Sequence, residues 1–318
     1  MTAARSVCRR AAGFDGYHNP CYTMGHIIYG RYCMKLLYVL EALGALAAAA
    51  AGIVVCDANR FVIRKYTMKS GKINGTYRFV MLSDLHGKSY GKNNERLMKA
   101  IDRINPEGIY IAGDMITAKP GKDFDRTAAF IRRLSEKYPV YYGSGNHEYR
   151  MEIYPKKYKD MSARYEASIT GAGIERLKNR KVIVKNRNIA VYGIEIDKEF
   201  YKKLHVPKMT GAYIEKKLGK PDKERFNILI AHNPSYFPAY AAYGADLVLA
   251  GHVHGGIARL PLLGGVISPS LRLFPKYDGG RYEEGESVMI LGRGLGTHTI
   301  PVRFFNPGEL VEIVVHPR

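Results

Sequence analysis

Five short clusters carry the residues able to do chemistry: SDLH at Ser83 to His86, GD at Gly113 and Asp114, GNHE at Gly145 to Glu148, AHNP at Ala231 to Pro234, and GHVHGG at Gly251 to Gly256. Their Asp, His and Asn side chains offer the mixed oxygen and nitrogen donors that suit Mn, Fe or Zn, and a carboxylate such as Asp114 can bridge two ions. Alone, GD or GNH is a weak turn signal and GH-x-H a moderate one; in this order along one chain they point to a single dinuclear metal site. An isolated histidine such as His205 or His298 is by contrast an ordinary surface or core residue. His232 differs from these because it follows an apolar run and precedes GHVH.

Strands are needed to bring such distant clusters together. Tyr77 to Leu82 leads into SDLH, Gly108 to Ala112 into GD, Val140 to Tyr142 into GNHE, Phe226 to Ile230 into AHNP, and Ala245 to Ala250 into GHVH. Short apolar runs ending in Gly, Asp or Asn predict buried strands, and chemistry in α/β proteins collects at the strands' carboxyl ends. Ser287 to Leu291 and Leu310 to Val315 read as final strands without chemistry of their own.

The order D-x-H, GD, GNH-[DE], H, GH-x-H resembles the calcineurin-like metallophosphoesterase superfamily. The stretches LIAHNPSYFPAYAAYGADLVLAGHVHGGIARLP and LGRGLGTHTIPVRFFN resemble its membrane-associated, YkuE-type bacterial branch. This resemblance implies an α/β fold, a four-layer α/β/β/α sandwich with two mixed sheets face to face and helices outside. It implies a phosphoric ester hydrolase with two divalent metal ions, Asp84, His86 and His254 holding one and Asn146, His232 and His252 the other, with Asp114 as the bridge. Two cations about 3.5–4 Å apart can share a hydroxide, polarise a phosphoryl oxygen and stabilise in-line displacement. Beside the bridging Asp114, the second catalytic residue implied is His147, which would hydrogen-bond the phosphate or protonate the leaving oxygen. Asn146, a neutral ligand, leaves its ion with more net positive charge for an anionic ester. Glu148 stands where many relatives have Asp and reads as an outer structural acid. Met115, Ile116 and Thr117 stand where several branches carry another acid, so this loop does not indicate the substrate.

The 318 residues are 46% hydrophobic and 25% charged, enough for one sizeable core plus a short leader, and their net charge is +20. Such a surplus serves nucleic acid, anionic lipid headgroups or solubility alike. Three segments are expected: a leader over 1–35 that is disordered or precedes a true start at Met34, a transmembrane or signal helix over 36–56, and a catalytic domain over 57–318. Leu36 to Cys56 is apolar except for Glu41, and about 20 apolar residues cross a bilayer as a helix. Arg31 and Lys35 precede it as a cytoplasmic flank does, while Arg60, Arg64 and Lys65 blunt the asymmetry. The reading is a signal anchor in the cell membrane with an extracytoplasmic catalytic domain. A cleaved signal peptide, using the Ala47 to Ala51 run, is the main competitor. A lipoprotein signal at Val54-Val55-Cys56 lacks the small residue wanted before the cysteine. All the cysteines, Cys8, Cys21, Cys33 and Cys56, lie in the leader and apolar segment. Their spacing is not that of a zinc site, and a cysteine-free catalytic part suits either redox compartment.

Two stretches bear on substrate. Tyr149 to Arg164 interleaves Tyr149, Tyr154 and Tyr158 with Arg150, Lys156, Lys157, Lys159 and Arg164. It is a flap gripping a phosphorylated headgroup or a nucleobase, or else a solvated basic helix. Ile257 to Phe274 carries Leu260, Leu262, Leu263, Val266, Ile267, Leu271, Leu273 and Phe274 among Gly and Pro. It reads as a buried β-hairpin completing the second sheet, with a groove for an acyl or prenyl chain as the alternative. The function expected is hydrolysis of a lipid- or envelope-linked phosphoester or pyrophosphate, the UDP-2,3-diacylglucosamine substrate of related branches being one such case. A soluble-substrate phosphodiesterase or nuclease and a catalytically silent metal-binding scaffold are the alternatives.

Overall fold

Alternation along the strands fixes the layers. In β2 (Tyr77–Leu82), Phe79 and Met81 point into one apolar cluster while Val80 and Leu82 point into another. In β8 (Phe226–Ile230), Ile228 and Ile230 join the cluster of Phe79, and Leu229 joins a third. Side chains alternate with period two, so each sheet buries both faces and three apolar layers separate four layers of structure. The computed structural model describes residues 20–171, 173–202, 207–256, 258–260, 264–267, 273–297 and 302–318, with side chains from residue 34 onward.

The chain divides into two units at Gly52 and Ile53. The first is occupied by a helix, Pro20–Asn59, that runs on into the second. Its part Met34–Asn59 is long and apolar enough to cross a membrane by length and composition. The helix begins at Pro20, within the stretch expected to be a disordered leader or to precede a true start at Met34; residues 1–19 lie outside the described residues.

The second unit holds two six-stranded sheets. One has the order β1-β14-β2-β3-β4-β5, with β1 Phe61–Ser70, β3 Ile109–Ala112, β4 Val140–Gly143, β5 Ile174–Leu177 and β14 Gly308–Pro317. The other has the order β12-β13-β9-β8-β7-β6, with β6 Arg180–Val184, β7 Ile189–Gly193, β9 Leu247–Ala250, β12 Gly280–Glu284 and β13 Ser287–Leu291. Strands β2 to β5 pair in parallel, as do β7, β8, β9 and β13, while β14 with β2, β6 with β7 and β12 with β13 are antiparallel. Both sheets are therefore mixed. Helices Glu95–Ile104, Asp125–Ser135 and Met161–Ile169 cover the first through Leu97, Ile101, Phe130, Ile131 and Tyr165. Helices Gly211–Leu218 and Phe237–Tyr243 cover the second through Ile214, Phe237 and Tyr240.

The hairpin expected after GHVHGG exists, but it neither completes the second sheet nor is buried. β10 (Ala258–Leu260) and β11 (Gly264–Ile267) make a separate two-stranded sheet, and β12 takes the edge beside β13. Leu260, Leu273 and Phe274 are exposed, while Leu262, Leu263 and Leu271 lie outside the described residues. β12 already pairs with β13 from Gly280 to Glu284, so that edge of the second sheet is filled.

The sheets approach most closely where side chains vanish. A Cβ on Gly143 in β4 would overlap Ile230 of β8 across the interface. Gly143→Val should therefore push the sheets apart and destabilise the domain by about 1–3 kcal/mol, the usual scale of overpacking, read as a lowered denaturant midpoint at unchanged slope.

Candidate metal centre

All five clusters begin where a parallel-paired strand ends: SDLH after β2, GD after β3, GNHE after β4, AHNP after β8 and GHVH after β9. Backbone pairing continues into the loops, Asp84 N donating to Gly113 O (3.0 Å), His86 N to Asp114 O (3.1 Å) and Gly251 N to His232 O (3.0 Å). Within them Asp84, His86, Asp114, His252 and His254 all adopt left-handed backbone, with φ of 50°, 49°, 53°, 77° and 53°. Each such non-glycine residue costs on the order of 1–3 kcal/mol and persists only where its surroundings over-determine it. Here the strain turns successive side chains towards one point.

That point is a carboxylate oxygen. Oδ2 of Asp114 lies 3.1 Å from Nε2 of His232, 3.8 Å from Nε2 of His86 and 4.0 Å from Nε2 of His147. Oδ1 of Asp84 lies 3.5 Å from Nε2 of His254 and 3.9 Å from Nε2 of His232. Nε2 of His86 and Nε2 of His254 are 3.1 Å apart with the rings stacked. Three groups of donor atoms could each hold a cation: Asp84, His86 and His254; His86, Asp114 and His147; and Asp114, His232 and His252. The structure thus brings together the side chains of Asp84, His86, Asp114, His147, His232, His252 and His254, while His205 and His298 fall outside the described residues.

The donors fit divalent ions. Nδ1 of His232 lies 2.6 Å from Ala112 O and Nδ1 of His254 lies 3.2 Å from Gly296 O, which directs each Nε2 inward for ligation. Asn146 begins the helix Asn146–Ile153, and its Oδ1 is buried with no hydrogen-bond partner among the described residues. A buried amide oxygen left in that state is costly unless something outside the protein satisfies it. His147 is oriented differently: Nδ1 accepts from Ala118 N at 2.8 Å, so the neutral ring carries its proton on Nε2.

Electrostatics agree with the geometry. Burial pushes the Asp84 carboxyl up to about 7, with neighbouring Asp114 adding to the rise and His232 opposing it. Burial also disfavours charge on Asp114, yet the imidazoles of His232, His147 and His86 hold it well below the usual carboxylate range. For His232 burial opposes protonation, and the Asp114 and Asp84 carboxylates override it, up to about 10. Strongly perturbed acids and bases in one buried group mark a functional site.

Glu148 is the outer structural acid that its place in GNHE suggests: its carboxylate accepts from Asp114 N, Met115 N, Gly145 N and Tyr142 Oη, each at 2.9 Å. The other supports carry no sequence signal. Thr117 Oγ1 lies 3.3 Å from His86 Nδ1, and the Tyr201 ring meets His252 edge-on at 5.7 Å. From the far end of the chain Asn306 ties down the loop carrying His254, and Arg303 the Arg293 to Gly296 segment beside it. None of these has a spacing that sets it apart in the sequence. The supposed flap after GNHE is mostly solvated helix, with Lys156, Lys157 and Lys159 exposed. Tyr158 is a core residue, its hydroxyl donating to Ala118 O.

The sequence profile of the calcineurin-like phosphoesterase family matches residues 77–256. An uncharacterized metallophosphoesterase of Campylobacter jejuni is 26% identical over 245 residues, covering 74% of this chain and 58% of that one. The metallophosphoesterase YkuE of Bacillus subtilis is 34% identical over 102 residues, covering 29% and 35%. Phosphodiesterase YaeI of Escherichia coli is 23% identical over 270 residues, covering 81% and 91%. The chain spans between about a third and three-fifths of the length of the first two. Among solved structures, the NAD nucleotidase of Haemophilus influenzae aligns over 69% of this chain and 45% of its own, with a TM-score of 0.39 and 15% identity.

Glu148→Ala would strip three buried N–H groups of their acceptor. Each orphaned donor costs about 1–3 kcal/mol, so the variant should melt well below wild type by calorimetry; an unchanged melting temperature would mean the carboxylate is dispensable to the loops.

Proposed function

Since the chain belongs to the calcineurin-like phosphoesterase family, we propose that it hydrolyses phosphoric esters at a dinuclear centre, with Asp84, His86 and His254 on one ion, Asn146, His232 and His252 on the other, and Asp114 between. The observation that carries this reading is the Asp114 oxygen set among the imidazoles of His232, His86 and His147. Two divalent ions, when bound, polarise the phosphoryl oxygen and supply an activated water. The residues do the rest. The backbone N–H of His147 donates to Oδ1 of Asp114 at 2.8 Å and holds its carboxylate in one orientation. His147, with its proton on Nε2 and its ring steadied by Ala118 N, donates a hydrogen bond to the phosphate or to the leaving oxygen, stabilising the charge that develops there.

A lipid-linked substrate is supported by what surrounds the centre. Arg259 N donates to Phe304 O and Phe274 N to Val266 O, so the hairpin and the Phe304-Phe305 segment form one patch that exposes Leu260, Leu273, Phe274 and Phe305. This patch follows directly from the GHVHGG loop and precedes Asn306, which bonds that loop. An exposed apolar group beside a polar centre suits a lipid-linked phosphoester or pyrophosphate. The apolar helix Met34–Asn59 supports a membrane anchor for such a substrate, and Arg31 and Lys35 ahead of it favour the catalytic unit outside the cytoplasm.

His147→Ala should keep its metals by elemental analysis and lose about 10²- to 10⁴-fold in kcat, the scale of a positioned acid. The loss should shrink for nitrophenyl esters, whose leaving group needs no proton; an equal loss across leaving groups removes the acid role.

Hydrolysis of a lipid-linked pyrophosphate by the metal-reconstituted protein should rise with anionic vesicles and fall with added salt, given the net charge of +20. Efficient cleavage of single-stranded nucleic acid with no response to vesicles would replace the lipid reading with a nuclease.

A further inference from the structure

The end of the apolar helix reaches the ligand loops. Asp57 lies in its final turn and is buried, 1% exposed. One carboxylate oxygen accepts from Arg60 Nε at 2.9 Å, and the other accepts from the backbone N–H of Asn306 at 2.8 Å. Asn306 is wholly buried, and its side-chain amide donates to His254 O and to Gly256 O, each at 2.7 Å. Two hydrogen-bonded steps therefore join a helix carboxylate to the backbone of His254. A second link runs from the same turn, Lys88 Nζ donating to Asn59 Oδ1 at 3.0 Å, two residues beyond His86.

The stretch preceding Asn306 holds Asp84 and His254 as well. Leu295 N donates to Ser83 O at 3.0 Å and Gly296 N to Asp84 O at 2.6 Å, while Gly296 O accepts from Arg303 and faces Nδ1 of His254. Arg303 in turn donates to Asn306 O at 3.1 Å. Asp84, His86 and His254 are the residues assigned to one ion. None of these links touches Asn146 or His232.

We propose that Asp57, acting through Asn306, is a positioning residue for the ion held by Asp84, His86 and His254, so that the helix end sets the affinity of one metal site and not the other. The inference rests on the ligand assignment above. Outer partners of metal ligands typically shift affinity by about 10–100-fold. A leader cut within Ala47 to Ala51 would leave the link whole, whereas a chain beginning at Phe61 would lack it.

The test uses the full chain in detergent and titrates Mn²⁺ by calorimetry, with electron paramagnetic resonance to distinguish single from paired ions. Wild type should bind two ions. Asp57→Ala should keep one dissociation constant and weaken the other about 10–100-fold, with loss of the paired-ion signal at low Mn²⁺. Asp57→Asn, which retains an oxygen for Asn306 N, should recover most of that affinity. Adding Asp57→Ala to His254→Ala should weaken binding no further than His254→Ala alone, because coupled residues are not additive. Should Asp57→Ala fail to fold, Asn306→Ser keeps the backbone link to Asp57 but removes both amide bonds, and should show the same selective loss. Unchanged constants, or both ions weakened equally, overturn the inference; wild type that binds no second ion overturns the ligand assignment beneath it.

Discussion

The carboxylate of Asp114 sits closed off from water beside a second buried acid, Asp84, and the rest of the structure follows from that placement. Two acids in one dry volume repel, and burial alone would drive both to protonate. Here imidazoles from both sheets crowd against them, and Asp114 stays ionised because His232, His147 and His86 surround it. Positive charge on His232, which the Asp114 and Asp84 carboxylates favour, balances part of this negative charge. Divalent ions held by the same donors would balance the rest.

The candidate ligands come from both sheets, which makes the packing between them part of the geometry of the candidate site. Asp84, His86, Asp114 and Asn146 follow strands of the first sheet; His232, His252 and His254 follow strands of the second. The distance between the two groups is set by the apolar layer of Phe79, Met81, Ile228, Ile230 and Leu249. Glycine closes the final gap. A side chain on Gly145 would collide with the Asp114 carboxylate, and one on Gly251 with that of Asp84. The glycines of GNHE and GHVHGG are thus spaces for acids, while the left-handed turns at Asp84, Asp114 and His254 spend stability on direction.

Sequence revealed the parts of this whose signal is local. Strands β2, β8 and β13 begin and end where their apolar runs do, because a strand buried on both faces is mostly apolar, with single polar residues such as Arg78 and Asn227 the exceptions. β1 was not read at all: Phe61–Ser70 mixes Arg64, Lys65 and Lys69 with apolar residues and is a strand through its pairing with β14 at the other end of the chain. The hairpin β10–β11 was legible as a hairpin but not in its place, since nothing local decides which sheet a short strand joins. At the centre, ligand types announced themselves by spacing. Their supports did not. Ala118 and Gly296 contribute only backbone atoms, which any residue type supplies.

Arg303 shows why those supports take this form. It is 2% exposed, and among the described residues the hydrogen bonds it donates go to the carbonyl oxygens of Arg293, Gly294, Gly296, Asn306 and Pro307. Burial pulls its guanidinium below the usual arginine range, while the Tyr90 hydroxyl and the Asp84 carboxylate favour its charge. A carboxylate partner here would satisfy the guanidinium more strongly, but it would also place a third acid beside Asp84, able to compete for a cation. Carbonyl dipoles avoid that competition. They hold the Arg293 to Gly296 segment and leave the positive charge of Arg303 to act on Asp84, so this clamp also offsets part of the cost of burying an acid.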